Sequence, residues 1–454
     1  MSAKSLIIFV EMRSDSLFGN RVEIRTSYSN VENLSGRTDF MVYVINFDGK
    51  PLMPCASVIA RLLLKQGKAK CMKRTPFTIK LLYLATNYTQ NTTLGIDTGS
   101  GKIGSSAMSD KGDVLYMSEV EIRNDISDKL KQRSKYRRNR RNRKTKYREA
   151  RWLNRKNSIK KDRFSPTMTS KINSHLKEIN FVKSILPITK IILETATFDP
   201  HALKNPAVLS NKWLYQKGIN YGFANTKAYV LDRDNHTCQH CKGKSKDSKL
   251  EVHHIVFRRD GGSDEASNLI TLCKTHHDDL HSGNITLKGG KTKGHLRHAT
   301  QMNSIRVQLL RSLPFAEETF GFVTKEHRQL LNLPKGHHMD AVAIASQGNE
   351  VNFKTNVVLF KKCISDGDYQ QTKGVRSEQR IPTDKIQGFR KFDKVRYLGF
   401  EYFIKGRMST GYAILMDIEG TKITLKPIPK FTKMERTQAR RSWIISQEII
   451  QNIS

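Results

Sequence analysis

The sequence predicts an α/β protein of several domains, and three features of the chain support this prediction. With 454 residues, the chain is long enough for two to four domains. Strand-like alternation occurs near residues 41–55 and again beyond about residue 380, and segments that permit helices lie between these regions. A compact segment, 225–285, interrupts the central part and carries its own cluster of cysteine and histidine.

The charge balance constrains the partners of the protein. The chain has 79 Lys and Arg against 42 Asp and Glu, a formal net charge of +37 and a pI near 10.0. Nucleic-acid phosphate is the commonest partner of such an excess, and a basic membrane-surface protein is the alternative. No apolar run approaches the roughly 18–20 residues of a spanning helix, and "LIIFV" near the N terminus is too short for a signal peptide. We therefore expect a soluble, cytoplasmic protein.

The first ordered elements are predicted after Met41. Residues 1–40 are polar and weakly patterned, so we expect a disordered or loosely attached extension. "MVYVINFDGKPLMPC" alternates like a strand and ends in a turn containing Gly49 and Pro51. "LGIDTGSGKIGSSAMSDKGDVLYMSEVEI" (Leu94–Ile122) predicts three strands joined by turns, which form an antiparallel meander.

A strongly basic segment follows the meander. Lys129–Arg163 contains 18 Lys and Arg in 35 residues, and its acidic residues are Glu149 and Asp162. A helix is permitted, but "QRSKYRRNRRNRKTKYREARW" has no apolar stripe at 3.6-residue spacing by which a core could hold it. Because so many like charges repel one another, we expect an anionic partner around this segment. A solvated basic arm is the alternative.

The remaining elements are read from shorter patterns. "ITKIILETATFD" (Ile188–Asp199) predicts a buried strand with Glu194 near its end. "LPKGHHMDAVAIASQG" (Leu333–Gly348) predicts a loop that enters a short helix. From about residue 380, stretches such as "YAILMDIEGTKITLKPI" predict a small β-barrel or sandwich with a hairpin turn near Glu419 and Gly420.

Three of the six cysteines cluster in the compact segment. Cys238 and Cys241 form a C-x2-C pair, and Cys273 is followed three residues later by His276. Such a Cys3His set can hold a tetrahedral zinc ion, which would stabilise a segment with little core of its own. The spacing leaves His277 open as the fourth ligand, and chance clustering of buried cysteines is the alternative. The other cysteines are expected to be ordinary core residues: Cys55, Cys71 and Cys363.

A second metal site is predicted from the remaining histidines of this segment. His277 and His281 are four residues apart and would share one face of a helix, where two imidazoles can reach one ion. His253 and His254 are adjacent in the strand-like "LEVHHIV", so their side chains point to opposite sides. One of them can join the metal ligands while the other takes a proton from water. Asn268 can hydrogen-bond the backbone that aims this base.

This pattern resembles the HNH nuclease signature with its ββα-metal core. The resemblance covers about residues 225–284 and includes the loop "RRDGGSDEASNL". It implies that His254 is the general base, that Asn268 is the asparagine of the signature, and that one divalent ion, Mg²⁺, stabilises the charge on the scissile phosphate. A neutral imidazole can accept a proton near neutral pH. The implied metal ligands are His253, His277 and His281, although many family members have a carboxylate at the position of His253.

Three carboxylates lie far apart in the sequence: Asp97 in "GIDTGSG", Glu194 in "IILETATFD" and Asp340 in "HHMDAVAIA". Alone, an Asp in a turn or at a helix start is usually structural. Their order and settings, however, resemble the split RNase H-like (RuvC) nuclease core, in which clustered carboxylates bind two Mg²⁺ about 3.5–4 Å apart. The RuvC resemblance also implies that His337, rather than His338, assists proton transfer.

The combination of a three-part RuvC core, an arginine-rich helix after the first part and an inserted HNH domain resembles type II CRISPR effector nucleases and their smaller transposon-encoded relatives. "PLMPCASVIARLLLKQGKAKCMKRTPFTIKLLY" (Pro51–Tyr83) resembles the PLMP domain of IscB proteins. The similarity runs from about Met41 to Ile445, which favours Met41 as the family-like N terminus. The implied organisation is an extension (1–40), a PLMP domain (41–90), RuvC segment I (91–127), a bridge helix (128–165), RuvC segment II (166–224), the HNH domain (225–285), RuvC segment III (286–350), a connector (351–379) and a β-rich domain (380–454).

The resemblance to IscB implies an RNA-guided endonuclease that uses an omega RNA to cut double-stranded DNA as a monomeric ribonucleoprotein. By analogy, the HNH site cuts the guide-paired strand and the RuvC site cuts the displaced strand. The basic segment becomes a bridge helix beside the guide RNA, and the β-rich C terminus, with its run "KFTKMERTQARRSW", contacts the target-adjacent motif. The implied nucleic-acid-binding residues are Arg133, Arg137, Arg138, Arg140, Arg141, Arg143, Lys144, Arg148 and Arg151.

Two other functions would explain part of the sequence. The first is a DNA endonuclease that has the same two sites but uses no guide RNA. This function would not explain the basic segment or the PLMP-like segment. A catalytically silent RNA-binding regulator would not need both sets of catalytic residue types, and both are present.

Overall fold

The computed structural model describes residues 41–142, 164–245, 247–287, 289, 296–365 and 385–450. The chain divides into Met1–Asp39 and Phe40–Ser454, and the fold below is that of the second unit. The predicted extension, 1–40, therefore lies outside the described residues. Of the helices in the described ranges, none combines the length and the apolar character that a membrane crossing requires.

The first elements form a small α/β domain. They are β1 (Met41–Ile45), β2 (Cys55–Ala56), α1 (Ser57–Lys65), β3 (Ala69–Lys73) and β4 (Thr78–Leu81). The sheet order is β2-β1-β4-β3, and β1 runs parallel to β4. Because side chains alternate along a strand, Val42 and Val44 of β1 enter the core of this domain, whereas Tyr43 packs into the main core of the molecule. The hydroxyl of Tyr43 donates a hydrogen bond to the carbonyl of Leu115 at 3.1 Å.

The predicted meander is present and is followed by two helices and a strand. These elements are β5 (Thr92–Asp97), β6 (Lys102–Ser109), β7 (Asp113–Glu121), α2 (Ile126–Asn142), α3 (Pro166–Lys183) and β8 (Lys190–Thr195). Helix α2 is the described part of the basic segment, and residues 143–163 lie outside the description. Helix α3 begins at Pro166, where Ser165 accepts a hydrogen bond from the backbone N–H of Met168.

The compact segment folds as a helix, a hairpin and a second helix after the short helix α4 (Pro200–Lys204). Its elements are α5 (Thr226–Arg233), β9 (Leu250–His254), β10 (Leu269–Cys273) and α6 (Lys274–Ser282). Strands β9 and β10 are antiparallel and form a sheet of their own. Its small core contains Leu272 and Leu280 together with Cys238 and Cys273.

The chain then returns to the main body. The next elements are α7 (Leu296–Ser312), β11 (Glu317–Phe320), α8 (Gly321–Leu330), α9 (His337–Ser346), β12 (Asn352–Phe353) and β13 (Val357–Cys363). The C-terminal part consists of β14 (Lys394–Tyr397), β15 (Phe400–Arg407), β16 (Ala413–Met416), β17 (Lys422–Ile423), β18 (Glu435–Gln438) and β19 (Trp443–Ile449).

One large mixed sheet organises the body, with the strand order β11-β8-β5-β6-β7-β13-β19. Strand β6 is antiparallel to both of its neighbours, β5 and β7, while β8 is parallel to β5 and β11 is parallel to β8. Strand β13 is parallel to β7, and β19 closes the far edge antiparallel to β13. The α/β class with several domains is thus observed.

Helices cover both faces of this sheet. Apolar residues of α3 and α7, among them Ile179 and Leu309, pack with Leu94 and Ile96 of β5 on one face. On the other face α9 lies very close to the strands, because Gly95 and Gly104 have no side chain there. A Cβ atom at Gly95 would be 2.4 Å from the carbonyl oxygen of Ala341, and one at Gly104 would be 1.8 Å from that of His337. The two glycines therefore set the position of α9 against β5 and β6.

Four expectations differ from the observed structure. Residues 351–379 were expected to connect domains, but β12 and β13 belong to the large sheet, and β19 joins that sheet although 380–454 was expected to be a separate β domain. Strands β14–β18 form one open antiparallel sheet instead of a barrel or sandwich. The pairings of β13 with β19 and of β14 with β18 join residues distant in sequence, so local alternation does not determine them. The fourth difference concerns cysteines: Cys71 is exposed, and Cys55 and Cys363 are only partly buried.

Candidate active sites

The four residues of the predicted zinc site lie together. One ligand atom from each of Cys238, Cys241, Cys273 and His276 lies within 4.8 Å of all the others. Cys273 ends β10, and His276 lies in the first turn of α6, so the strand-to-helix junction brings both toward the Cys238–Cys241 loop. The Nδ1 atom of His276 is 2.9 Å from Sγ of Cys273. His276 is therefore the imidazole nearest the thiols, and this donor set could hold a tetrahedral zinc ion.

A serine that the sequence analysis did not identify connects two of these thiols. The hydroxyl of Ser245 lies 3.3 Å from Sγ of Cys241 and 3.2 Å from Sγ of Cys273. Hydrogen bonding with Ser245 lowers the pKa of Cys241 to about 6. Since the thiolate is the form that binds a metal, this contact favours the required ionisation state.

His253, His277 and His281 form a second cluster, whose ligand atoms also lie within 4.8 Å of one another. His277 and His281 are one turn apart on α6, and β9 presents His253 to them. The Nε2 atoms of His253 and His281 are 3.1 Å apart. Glu251, two residues before His253 on the same strand, places Oε2 3.3 Å from Nε2 of His277. The sequence analysis did not identify Glu251, although the two-residue spacing puts it on the same face of the strand.

The surroundings of His253 favour the metal-binding tautomer. Burial lowers the pKa of His253, and the neighbouring imidazoles lower it as well, so the ring is neutral near pH 7. Its Nδ1 atom lies 2.7 Å from the carbonyl oxygen of His254, to which only an N–H can donate. Nε2 therefore carries the lone pair, which faces His281. Metal-binding histidines commonly have this arrangement, with the second ring nitrogen donating to a backbone carbonyl.

His254 points to the opposite side of β9, as the alternation predicts. Its Nε2 atom lies 2.8 Å from Oδ1 of Asp264, and the same oxygen accepts a hydrogen bond from Nε of Arg258 at 2.7 Å. The Nε2–H therefore donates to Asp264, and Nδ1 keeps the lone pair of a base. Asp264 lies in the predicted signature loop but was not singled out from the sequence.

Asn268 is fully buried and fixes the backbone after His254. Its Oδ1 atom accepts a hydrogen bond from the N–H of Val256 at 3.0 Å, and its Nδ2 atom donates to the carbonyl oxygens of Val256 and Ser263. The backbone carbonyl of Asn268 also accepts from Ile255 at 2.8 Å. These contacts match the backbone-holding task expected of Asn268.

A separate carboxylate site lies on the large sheet. Asp97 at the end of β5 and Glu194 near the end of β8 are direct register partners in parallel strands. Both lie on the face covered by α9, which carries Asp340 in its first turn. Burial, together with the charges of Asp97 and Asp340, raises the pKa of Glu194 to about 7. Burial and the charge of Asp97 likewise raise the pKa of Asp340. The three carboxylates therefore interact electrostatically, and a divalent cation would relieve their repulsion.

Basic side chains currently engage two of these carboxylates. The Nδ1 atom of His337 lies 2.6 Å from Oδ2 of Asp97, and Nε of Arg328 lies 2.9 Å from Oδ1 of Asp340. Within the described residues, Asp97, Glu194 and Asp340 do not form a cluster with all ligand atoms inside 4.8 Å. His338 is directed elsewhere, with Nδ1 2.8 Å from Oε1 of Glu119. No pattern in the sequence identified Arg328 or Glu119 as neighbours of this site.

The basic segment is described only in part. Arg133, Arg137 and Arg138 are exposed on α2. The structure describes the backbone of Arg140 and Arg141 but not their side chains. Four further predicted contacts lie entirely outside the described residues: Arg143, Lys144, Arg148 and Arg151.

Two protein families match this chain. The HNH endonuclease family matches residues 238–283, and the RRXRR protein family matches residues 42–218. None of the curated proteins matches. Among solved structures, Streptococcus thermophilus Cas9 in complex with the GGAA PAM is similar at 14% identity and a TM-score of 0.31, over 46% of this chain and 30% of that one. The same protein with the AGAA PAM is similar at 11% identity and a TM-score of 0.30, over 56% and 32%. The chain thus covers about a third of those Cas9 chains.

The family matches define the chain first as a protein with an HNH endonuclease domain. RRXRR is a domain of the Cas9 and IscB type, and its presence before the HNH domain is consistent with an IscB-like protein. The resemblance stated from the sequence is confirmed at that level.

Proposed function

We propose that this chain is an RNA-guided endonuclease that cuts double-stranded DNA at two Mg²⁺-dependent sites. The observation that carries the proposal is that one chain contains two separate groups of candidate catalytic residues. In the first, the candidate base His254 lies next to a cluster of three other histidines; in the second, Asp97 and Glu194 are register partners on the large sheet. The HNH site would cut the guide-paired strand, and the carboxylate site would cut the displaced strand.

The strand order of the large sheet supports assigning the carboxylate site to a split RuvC core. An antiparallel meander followed by two strands added in parallel beside its first strand, β11-β8-β5-β6-β7, is the arrangement expected of an RNase H-like sheet. The HNH segment interrupts this sheet between β8 and β11, as the three-segment hypothesis requires.

At the HNH site, the residues divide into those that hold a metal and those that move a proton. A divalent ion held by His253, His277 and His281 would stabilise negative charge on the scissile phosphate and the leaving oxygen. His254 would take a proton from the attacking water at Nδ1, while Asp264 holds Nε2–H and stabilises the imidazolium that forms. The zinc set would fix the start of α6, from which His277 and His281 project.

At the carboxylate site, Asp97, Glu194 and Asp340 are the residues that would hold Mg²⁺, which activates water and stabilises the leaving oxygen when two ions are bound. His337 would transfer a proton near Asp97, since its hydrogen bond with this carboxylate raises its pKa and keeps a proton on the ring. Arg328 pairs with Oδ1 of Asp340, so this oxygen could bind metal only if Arg328 gave up its present ion pair.

The charge of the chain supports binding to an RNA in addition to the target DNA. A formal charge of +37 and the exposed arginines of α2 fit an RNA that is held at many phosphates. Sequence would be read by guide–target pairing, and the β-sheet of β14–β18 would contact the target-adjacent motif.

The proposal is tested by expressing the protein together with the DNA that flanks its own reading frame. Bound RNA is sequenced, and cleavage of a matching plasmid is compared before and after treatment with ribonuclease. We expect a defined co-purifying RNA, cleavage of matching DNA in Mg²⁺, and loss of cleavage after ribonuclease. Cleavage that survives complete RNA removal would favour a nuclease that needs no guide. A bound RNA without any DNA cleavage by folded protein would favour an RNA-binding regulator.

A further inference from the structure

Two exposed aromatic rings lie in the segment that joins β8 to the HNH insert. Trp213 is 61% exposed and Tyr221 is 63% exposed. The ammonium group of Lys217 lies 4.9 Å from the centre of the Trp213 ring and 4.7 Å from that of Tyr221. We call these three residues the aromatic platform. The lysine packs against both rings and leaves most of their surface open.

The segment that carries the platform is anchored to the body. Asn303 of α7 donates from Nδ2 to the carbonyl oxygen of Phe198 at 2.7 Å and accepts from the N–H of Phe198 at 2.9 Å. Asp199 caps α4 and accepts a hydrogen bond from the hydroxyl of Tyr215, two residues from Trp213. The exposed rings therefore belong to a segment with defined tertiary contacts.

The charge of the segment indicates the kind of partner. Between residues 198 and 227 the acidic residue is Asp199, whose carboxylate is engaged by Tyr215 and by two backbone N–H groups. Lys212 is exposed beside Trp213, and Lys227 follows at the start of α5. Exposed aromatic rings among lysines fit a polyanion whose units have flat faces, because bases stack on the rings while phosphates pair with the cations.

We propose that the aromatic platform binds unpaired bases of the displaced DNA strand. This inference rests on the proposed function. The segment begins a few residues after Glu194, at the carboxylate site that would cut this strand, and ends at the HNH insert. The guide and the paired strand are stacked within a heteroduplex, so their base faces are occupied, whereas the displaced strand offers open faces. The platform would hold that strand near the carboxylates while the insert acts on the other strand.

The test uses the complete ribonucleoprotein and target DNA with 2-aminopurine placed at successive positions of the displaced strand near its cut. The fluorescence of this base falls when it stacks. We expect quenching at one or two positions with the wild-type protein and loss of that quenching with Trp213→Ala/Tyr221→Ala. Displaced-strand cutting at limiting enzyme should fall about 10-fold or more, and guide-paired cutting should stay within about twofold. Trp213→Phe/Tyr221→Phe should retain both signals, because phenylalanine also stacks.

Tyr88→Ala is the matched control, since Tyr88 is 91% exposed outside the platform. An equal loss of quenching with Tyr88→Ala, or unchanged quenching and cutting with the double alanine variant, would overturn the inference while the proposed function stands. Reduced co-purification of RNA with the double alanine variant would assign the platform to the guide RNA and would also overturn it. If the wild-type complex cut neither strand, the proposed function itself would fail.

Discussion

The Nδ1 atom of His337 lies 2.6 Å from Oδ2 of Asp97, although 240 residues separate them in the chain. Gly104, the register partner of Asp97 on β6, makes this contact possible, because any side chain there would collide with the backbone of His337. The hydrogen bond with Asp97 raises the pKa of His337. An imidazole with a raised pKa is thus held beside a candidate metal-binding carboxylate, which suits proton transfer during hydrolysis.

His337→Gln is therefore expected to slow cutting of the displaced strand about 100-fold, the order of magnitude of a lost general acid–base group. Cutting of the guide-paired strand should be unchanged. Rates are measured on DNA with separate labels on the two strands. His338→Gln is the control, because its partner is Glu119, and it should leave both rates nearly unchanged. Equal losses in the two variants would contradict a specific role for His337.

Each of the two sites is expected to work without the other. Asp97→Ala or Glu194→Ala should leave an enzyme that nicks only the guide-paired strand, and His254→Ala should leave one that nicks only the displaced strand. The physical reason is that the sites have separate ligands and separate bases, on the large sheet and on the β9–β10 hairpin. Denaturing gels with both strands labelled give the result. A single substitution that abolishes cutting of both strands in folded protein would refute the two-site hypothesis.

The candidate metal ligands could be predicted from the sequence better than the residues that surround them. Both clusters of the HNH segment follow from local rules, since i, i+4 spacing on α6 and alternation on β9 place the side chains. Asp97 and Glu194 could be associated because their order and settings resemble those of the RuvC core. Glu119 could not be predicted, because it meets His338 across 219 residues of the chain. Ser245 follows Cys241 by four residues, but its contact with Cys273 depends on how the segment folds. The addition of β19 to the large sheet was not predicted, because its partner β13 lies some 80 residues earlier in the chain.

Loss of one thiol at the Cys3His set should release zinc and loosen the HNH segment. Cys273→Ser is expected to lower the zinc content from about one ion per chain to nearly none, because Cys273 is buried at the junction that holds the set. Zinc is measured by elemental analysis, and limited proteolysis reports on residues 225–285. Cys71→Ser, at an exposed position, should change neither. An unchanged zinc content in Cys273→Ser would rule out this site.

The metal-free carboxylate site should destabilise the fold as the pH rises. Burial, with the charges of Asp97 and Asp340, raises the pKa of Glu194 from 4.5 to about 7, so the folded protein binds more protons than the unfolded chain between these values. Stability is then lost as the pH rises through that interval. In EDTA, Glu194→Gln should be more stable than the wild type by about 1–2 kcal/mol at pH 7.5, allowing for solvent screening, and by little at pH 5.

Urea unfolding at the two pH values measures this difference. Glu326→Gln, at an exposed position on α8, should show no pH-dependent gain. Saturating Mg²⁺ should remove the advantage of Glu194→Gln, because the ion stabilises the ionised carboxylates of the wild type. Equal stability of wild type and Glu194→Gln in EDTA at pH 7.5 would contradict the electrostatic description of this site.

The buried pair of Lys361 and Glu178 should be essential for stability although it lies outside both sites. Both side chains are fully buried, and Nζ of Lys361 lies 2.7 Å from Oε2 of Glu178. The other carboxylate oxygen, Oε1, accepts hydrogen bonds from Tyr116, Ser105 and Ser118. Lys361→Met should cost about 3–5 kcal/mol of unfolding free energy, because it leaves an uncompensated buried carboxylate. Lys361→Met/Glu178→Gln should recover a large part of this loss, since no buried charge remains. A double variant as unstable as Lys361→Met would show that the cost comes from packing between β13 and α3 instead of from charge.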